Sequence, residues 1–397
     1  MGAPFTPLVE SLPATVPFTG PETLERRRGA PFDARIGANE SASGMSPLAI
    51  RALAAAVGGR ACALYGDPEN RALRERLADG LGVGLESVVV GPGIDSLLGT
   101  VVRMFLAPGE VAVSSLGAYP TFDYHVAGHG GRLERVAYRA DARVDVEALA
   151  AAARGAGARL VYLSSPDNPT GTQTPARALA DLADRLPDGC LLVLDEAYLD
   201  YPGPASAPPI DASDDRVLRL RTFSKAWGMA GLRVGYAVGH PDAIAGFDKV
   251  RDHFGVNRLA QVAALASVGD EGFLERVRAE VAAGRERIVS LAARHGLDHV
   301  ASVTNFVAVD LGDAGRAQRA LEALHARGVF VRKPMAAPLD RHVRIGVGTA
   351  EEMVRLEAVF GDALAEALDA RPRRGGTAPG RAPGDRVEGG YRPKVDG

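Results

Sequence analysis

The sequence predicts an α/β fold: a three-layer, mainly parallel sheet with helices on both faces, followed by a smaller α+β domain. Three observations carry this expectation. Short β-branched apolar runs alternate with Ala-, Leu- and Arg-rich helical stretches between residues 47 and 260, the alternation that βαβ units produce. Those runs are mostly apolar, as strands covered on both faces are, with Arg219 and Arg221 the charged exceptions. Beyond about residue 260 the pattern changes to long helical repeats flanking isolated short strands. A chain of 397 residues also exceeds the usual single domain of ~100–200 residues, which favours two domains sharing an interface.

Taken in order, residues 1–46 are rich in Pro, Gly and charge and read as an arm lying on other parts of the molecule. Its run Arg26-Arg27-Arg28 suits a solvated surface or a grip on substrate or partner subunit. The large domain, 47–260, carries predicted strands at Ser87–Val90, Val111–Ser114, Leu160–Ser164, Leu191–Leu194, Val217–Arg221 and Val234–Val238. Ligands of such sheets sit at the carboxyl ends of the strands. In the small domain, 261–370, helical patterns at Phe273–Arg294 and Ala314–Arg327 flank strands at Asn305–Asp310, Val329–Arg332 and His342–Ile345. Residues 371–397 hold almost no apolar side chains and read as a disordered tail.

Composition narrows the function. With 46% apolar and 24% charged residues and a net charge of -3, nothing attracts nucleic acid or an acidic membrane, so a small-molecule ligand is expected. Cys62 and Cys190 stand far apart with no metal-ligand spacing, and read as free thiols in a reducing compartment. No leader-like or membrane-length apolar run is visible, which makes the cytoplasm the expected location. His125 and His129 lack a third ligand, so no metal site is expected.

The chemistry lies at the predicted strand ends. After Val217–Arg221 comes Thr222-Phe223-Ser224-Lys225-Ala226-Trp227-Gly228-Met229-Ala230-Gly231-Leu232-Arg233-Val234-Gly235. A lysine among Trp, Met and Ala is desolvated, the setting of a nucleophilic amine that forms Schiff bases. The hydroxyls of Thr222 and Ser224 and the cation of Arg233 suit a phosphate. Leu192-Val193-Leu194-Asp195-Glu196-Ala197-Tyr198 ends another strand in a carboxylate, placed to hold a pyridinium N–H. Ser164-Ser165-Pro166-Asp167-Asn168-Pro169-Thr170-Gly171 is a stiff loop that fixes the Asn168 amide, though alone it reads first as an ordinary turn. Val88-Val89-Val90-Gly91-Pro92-Gly93-Ile94-Asp95 runs from strand through glycine loop to helix start, which presents backbone N–H groups to an anion.

In this order these segments resemble the fold-type I pyridoxal-phosphate (PLP) enzymes of the aspartate aminotransferase superfamily, and within it the histidinol-phosphate aminotransferase-like branch. The resemblance spans about Ala38 to Leu356. It implies that Lys225 holds PLP as a Schiff base and shuttles a proton, and that Asp195 pairs with the pyridine nitrogen. Asn168 and Tyr198 would bond the ring oxygen. The backbone at Ile94 and Asp95, with Thr222, Ser224 and Arg233, would cradle the phosphate. Phe122, in Tyr119-Pro120-Thr121-Phe122, would stack on the ring, with Tyr119 as the alternative. Tyr65 would cross a homodimer interface to the neighbouring phosphate. Arg344 would clamp the substrate α-carboxylate, with Arg332, Asn39 and Asn257 nearby.

The activity so implied is a ping-pong transfer of the amino group of an L-amino acid to a 2-oxo acid. A PLP-dependent oxidase or decarboxylase is the alternative on the same fold, and a regulatory module lacks room for its helix-turn-helix. Two departures bear on substrate. Val16-Pro17-Phe18-Thr19-Gly20-Pro21 lacks the tyrosine of the branch's Y-x-P-G-like element, and Asn39-Glu40-Ser41-Ala42-Ser43-Gly44-Met45-Ser46-Pro47 has lost a proline and an asparagine. Histidinol phosphate is therefore not the assumed substrate.

Overall fold

The computed structural model describes residues 3–14 and 18–369; the expected tail at 371–397 lies outside them. Eleven strands are formed among the described residues: β1 (Ala34–Arg35), β2 (Val88–Gly91), β3 (Val111–Ser115), β4 (Arg132–Val136), β5 (Leu160–Ser164), β6 (Leu191–Asp195), β7 (Val217–Thr222), β8 (Gly235–Val238), β9 (Phe306–Asp310), β10 (Val329–Phe330) and β11 (His342–Gly346). Seven of them make one sheet in the order β2-β8-β7-β6-β5-β3-β4. It is parallel except at β8, which runs antiparallel to both β2 and β7.

Both faces of this sheet are covered, as its apolar strands require. Successive residues of β5 point to opposite faces. Leu160 and Tyr162 join Leu97, Val101, Phe122 and Phe247 in one core, while Val161 and Leu163 join Leu149, Leu179 and Leu182 in the other. Helices Ile94–Phe105, Pro120–Gly128 and Pro241–Phe247 thus lie on one side, and Val146–Ala156 and Ala176–Asp184 on the other. Strand β4 was not expected from the sequence. It is an edge strand whose Arg132, Glu134 and Arg135 break the apolar pattern, and none of its residues is fully buried.

The second part of the chain forms the antiparallel pair β9–β11, backed by the helices Glu271–Arg294, Ala314–Ala326 and Ala350–Asp369. An isolated bridge between Arg332 and Arg344 continues it. Part of the arm read over residues 1–46 is built into the fold. Ala34–Arg35 pairs in parallel with β10, and Ile36 is buried between β10 and β11, accepting from Gly346 and donating to Phe330. This segment therefore belongs to the smaller sheet. Two helices, Pro7–Ser11 and Pro21–Arg28, also interrupt the arm, each with proline in its first turn. Arg26-Arg27-Arg28 forms the last turn of the second, where cations suit the helix dipole. No helix among the described residues is long and apolar enough to cross a membrane.

Candidate active site

The carboxyl ends of β5, β6 and β7 meet the smaller sheet at one cleft. The turn after β7 is anchored by Ala226, Trp227 and Met229, all buried, and projects Lys225 from a half-buried position. Its Nζ donates to the main-chain oxygen of Asn39 at 3.2 Å and lies 5.5 Å from the centre of the Tyr198 ring. Gly228 then turns the chain with φ +70°, and a Cβ there would stand 1.8 Å from the Gly44 oxygen. Only glycine lets the arm lie on this turn.

Beside Lys225 is an anion cup. Thr222 donates to Ser224 Oγ at 2.9 Å, and Arg233, held in the left-handed region at φ 57°, reaches Ser224 Oγ at 3.3 Å and Asp95 at 3.1 Å. Ile94 and Asp95 open a twelve-residue helix whose N-cap, Gly93, offers no side-chain cap, so its first N–H groups face this cup. Gly235 permits the approach: a Cβ there would come within 3.4 Å of Gly93 and Ile94. His125, considered above only as a metal ligand, instead meets the Asp95 main-chain oxygen through Nε2 at 2.9 Å.

Asp195 closes β6 and is buried. It accepts from the Tyr162 hydroxyl at 2.8 Å and the Ala197 amide at 2.9 Å, both neutral donors. Burial is the main cause that raises its pKa to about 6, and the two hydrogen bonds oppose the rise. Phe122 is fully enclosed, with its ring stacked on Tyr162 at 4.9 Å and 12°. Tyr119 is half-buried; it donates to Asp95 at 2.7 Å and stacks on Phe18 at 5.6 Å. Of the two candidate stacking rings, Tyr119 is the one with open surface. Tyr162 was missed because a tyrosine inside an apolar run reads as core.

Across the cleft, Arg344 of β11 donates to the Asn168 side-chain oxygen and, at 2.9 Å, to the Gly37 oxygen. It lies over the Phe306 ring, and burial lowers its pKa to about 10, so it stays cationic. The Asn168 loop is fixed from beneath by buried Asp167, which accepts from Ser164, Thr170 and Tyr138. Asn39 donates to the Tyr198 hydroxyl at 2.9 Å, and Asn305, also missed, donates to the Asn39 and Glu40 oxygens at 3.2 and 3.0 Å. Only the folded chain brings residues 39 and 305 together.

Three further expected residues make the following contacts. Arg332 donates to the Thr19 oxygen at 2.7 Å with its guanidinium over Phe18, so it closes the arm onto the cleft. Asn257 caps the helix Arg258–Ser267, accepting from Ala260, and donates to Leu232 at 2.9 Å; both ends of its amide are engaged in structure. Tyr65 is 78% exposed and packs on Phe254, itself exposed.

This arrangement fits pyridoxal phosphate. Asp195 is a buried carboxylate with neutral donors, suited to a pyridinium N–H, and the Asn39 Oδ1 and Arg344 Nε atoms are enclosed without partners. Donors suited to phosphate converge one turn from Lys225. Residues 35–359 match the family described as aminotransferase class I and II. The chain belongs to that family. It is 39% identical over 346 residues to histidinol-phosphate aminotransferase 1 of Thiobacillus denitrificans, covering 86% of each chain. A crystal structure of histidinol-phosphate aminotransferase from Sinorhizobium meliloti in complex with pyridoxal-5'-phosphate superposes with a TM-score of 0.87 at 44% identity, covering 92% of this chain and 98% of that one. An aspartate aminotransferase of Thermus thermophilus, at 24% identity, TM-score 0.76 and 91% and 99% coverage, shares the fold. The protein is thus a PLP-dependent aminotransferase of fold type I.

Proposed function

We propose that Lys225 carries the cofactor and that Arg344 binds the α-carboxylate of an L-amino acid whose amino group passes to a 2-oxo acid by a ping-pong cycle. The observation that carries this reading is Arg344, a cation at the cleft whose partners are the neutral Asn168 and Gly37 oxygens and whose Nε has none. A planar guanidinium in this state suits a carboxylate by a two-pronged contact. Residues 47–260 form the cofactor unit of this reading and 261–370 the smaller unit.

When bound, the cofactor supplies a carbonyl carbon that takes up the amino group and a ring that accepts the α-carbon's electron pair. Lys225 Nζ would hold the cofactor covalently in the resting enzyme and would carry the proton at the substrate α-carbon. Asp195 holds the pyridine nitrogen. The Tyr198 hydroxyl, already accepting from Asn39, donates to the ring oxygen. Arg344 takes the Asn168 side-chain oxygen, and the Asn168 amide NH2 would donate to the same ring oxygen. Thr222, Ser224, Arg233 and the Ile94 and Asp95 amides hold the phosphate. Phe18 and Arg332 narrow the mouth.

We also propose a homodimer in which Tyr65 enters the neighbouring site. In support, Tyr65 reaches no group of its own cleft in the contacts described, and Leu48, Ile50, Val57, Leu64 and Phe254 are likewise exposed apolar side chains. For histidinol phosphate, the substrate in the relatives' names, Arg332 would take the phosphate, while Phe18 beside it lacks the hydroxyl its branch carries. The test is a panel of amino donors, with histidinol phosphate and aromatic amino acids included, added to the purified holoenzyme while cofactor absorbance is followed. Conversion to the amino form of the cofactor, reversed by a 2-oxo acid, is expected. No conversion with any donor would sink the reading.

A further inference from the structure

Asp195 sits in surroundings that oppose its charge. Burial is the first cause that favours its protonated form, and the nearby negative charges of Asp95 and Glu196 act the same way. Against them stand two hydrogen bonds, one from the Ala197 amide and one from a side chain, the Tyr162 hydroxyl at 2.8 Å. Tyr162 lies one strand away. In the β5–β6 register Ser164 faces Asp195 and Tyr162 faces Val193, so Tyr162 and Asp195 are diagonal neighbours on one face of the sheet. The Tyr162 ring is 1% exposed and clamped on fully buried Phe122. Burial raises the phenol's pKa well above its ordinary value, so the group is a permanent donor over the pH range of an enzyme assay.

We propose that Tyr162 is a positioning residue for the transamination: its hydroxyl aims the Asp195 carboxylate and supports its negative charge where the cofactor's pyridine nitrogen is held. The inference rests on the assignment of Asp195 to that nitrogen. A carboxylate that keeps its charge keeps the nitrogen protonated, and a protonated ring is the better acceptor of electrons from the α-carbon. Phe122 acts through Tyr162 by fixing the ring that carries the hydroxyl.

Holoenzyme loaded with PLP labelled by nitrogen-15 at the pyridine position tests this. The nitrogen shift is recorded between about pH 6 and about pH 9 for wild type, Tyr162→Phe and Asp195→Asn, alongside kcat and KM. Tyr162→Phe is expected to bring a deprotonated fraction into this range and to lower kcat about tenfold, with the donor KM changed less than about twofold, since a hydrogen bond to a charged group is lost. Should Tyr162→Phe fold poorly by thermal melting, 3,5-difluorotyrosine at position 162, whose hydroxyl is intrinsically more acidic, is expected to alter the nitrogen's protonation profile between about pH 6 and about pH 9, and a wild-type profile would overturn the role of Tyr162. A Tyr162→Phe shift profile and kcat equal to wild type, while Asp195→Asn alters both, would overturn the role of Tyr162. Equal profiles in all three proteins would instead overturn the assignment of Asp195.

Discussion

Arg344 donates to the side-chain oxygen of Asn168, joining a strand of the smaller sheet to a loop at the carboxyl end of β5. The contact joins the proposed substrate clamp and the proposed cofactor amide in one unit. Arg344→Lys keeps the charge but loses the fork, and is expected to lower kcat/KM for amino-acid donors about 100-fold, equivalent to about 3 kcal/mol. Steady-state kinetics check this, with cofactor content expected to stay at the wild-type level.

Asp195 gives a pH prediction. Its pKa is raised from an ordinary 3.8 to about 6, so in the cofactor-free fold the proton is held more tightly than in the unfolded chain. The stability from that proton is present below about pH 4 and lost as pH rises through about 6. Cofactor binding runs the other way, because the proposed pyridinium contact needs the carboxylate. Affinity for PLP is therefore expected to weaken as pH falls below about 6, and Asp195→Asn to bind weakly with no such dependence. Fluorescence titration of PLP across that range measures both.

Phe18 stacks on Tyr119 beneath the Arg332 guanidinium. Phe18→Tyr adds one hydroxyl beside that cation. It is expected to raise kcat/KM for histidinol phosphate several-fold, with aromatic donors changed less than about twofold, since a neutral hydrogen bond contributes about 1 kcal/mol. Side-by-side kinetics with the two donor classes decide it.

Gly228→Ala places a Cβ against the Gly44 oxygen at a positive φ. A loss of at least about 2 kcal/mol in urea unfolding is expected, because both strain and displacement of the arm contribute. Unchanged stability would show that the arm does not depend on this contact.

Much of the large sheet was legible because its buried strands are mostly apolar runs, and the candidate site segments follow the ends of β2, β5, β6 and β7. Lys225, Asp195 and Asn168 stand at three adjacent strand ends and converge for that reason. Less legible were features set by tertiary packing. Strand β4 carries charges at an edge, and the reversed direction of β8 leaves no mark in its composition. Ala34–Arg35 became a strand only by pairing with residues nearly 300 positions away. Asn305 and Gly37 act through main-chain contacts with distant segments. Asn257 shows the converse: a residue matched by motif turned out to cap a helix.

The central assignment is Lys225, and the chain offers an internal control in its other lysines, Lys249, Lys333 and Lys394. Borohydride reduction of the holoenzyme, followed by peptide mass mapping, fixes the cofactor to whichever lysine carries it. The phosphopyridoxyl mass is expected on the peptide containing Lys225 alone, and is expected to be lost in Lys225→Ala. The same mass on Lys249, Lys333 or Lys394, or on Lys225→Ala protein at wild-type yield, would contradict it.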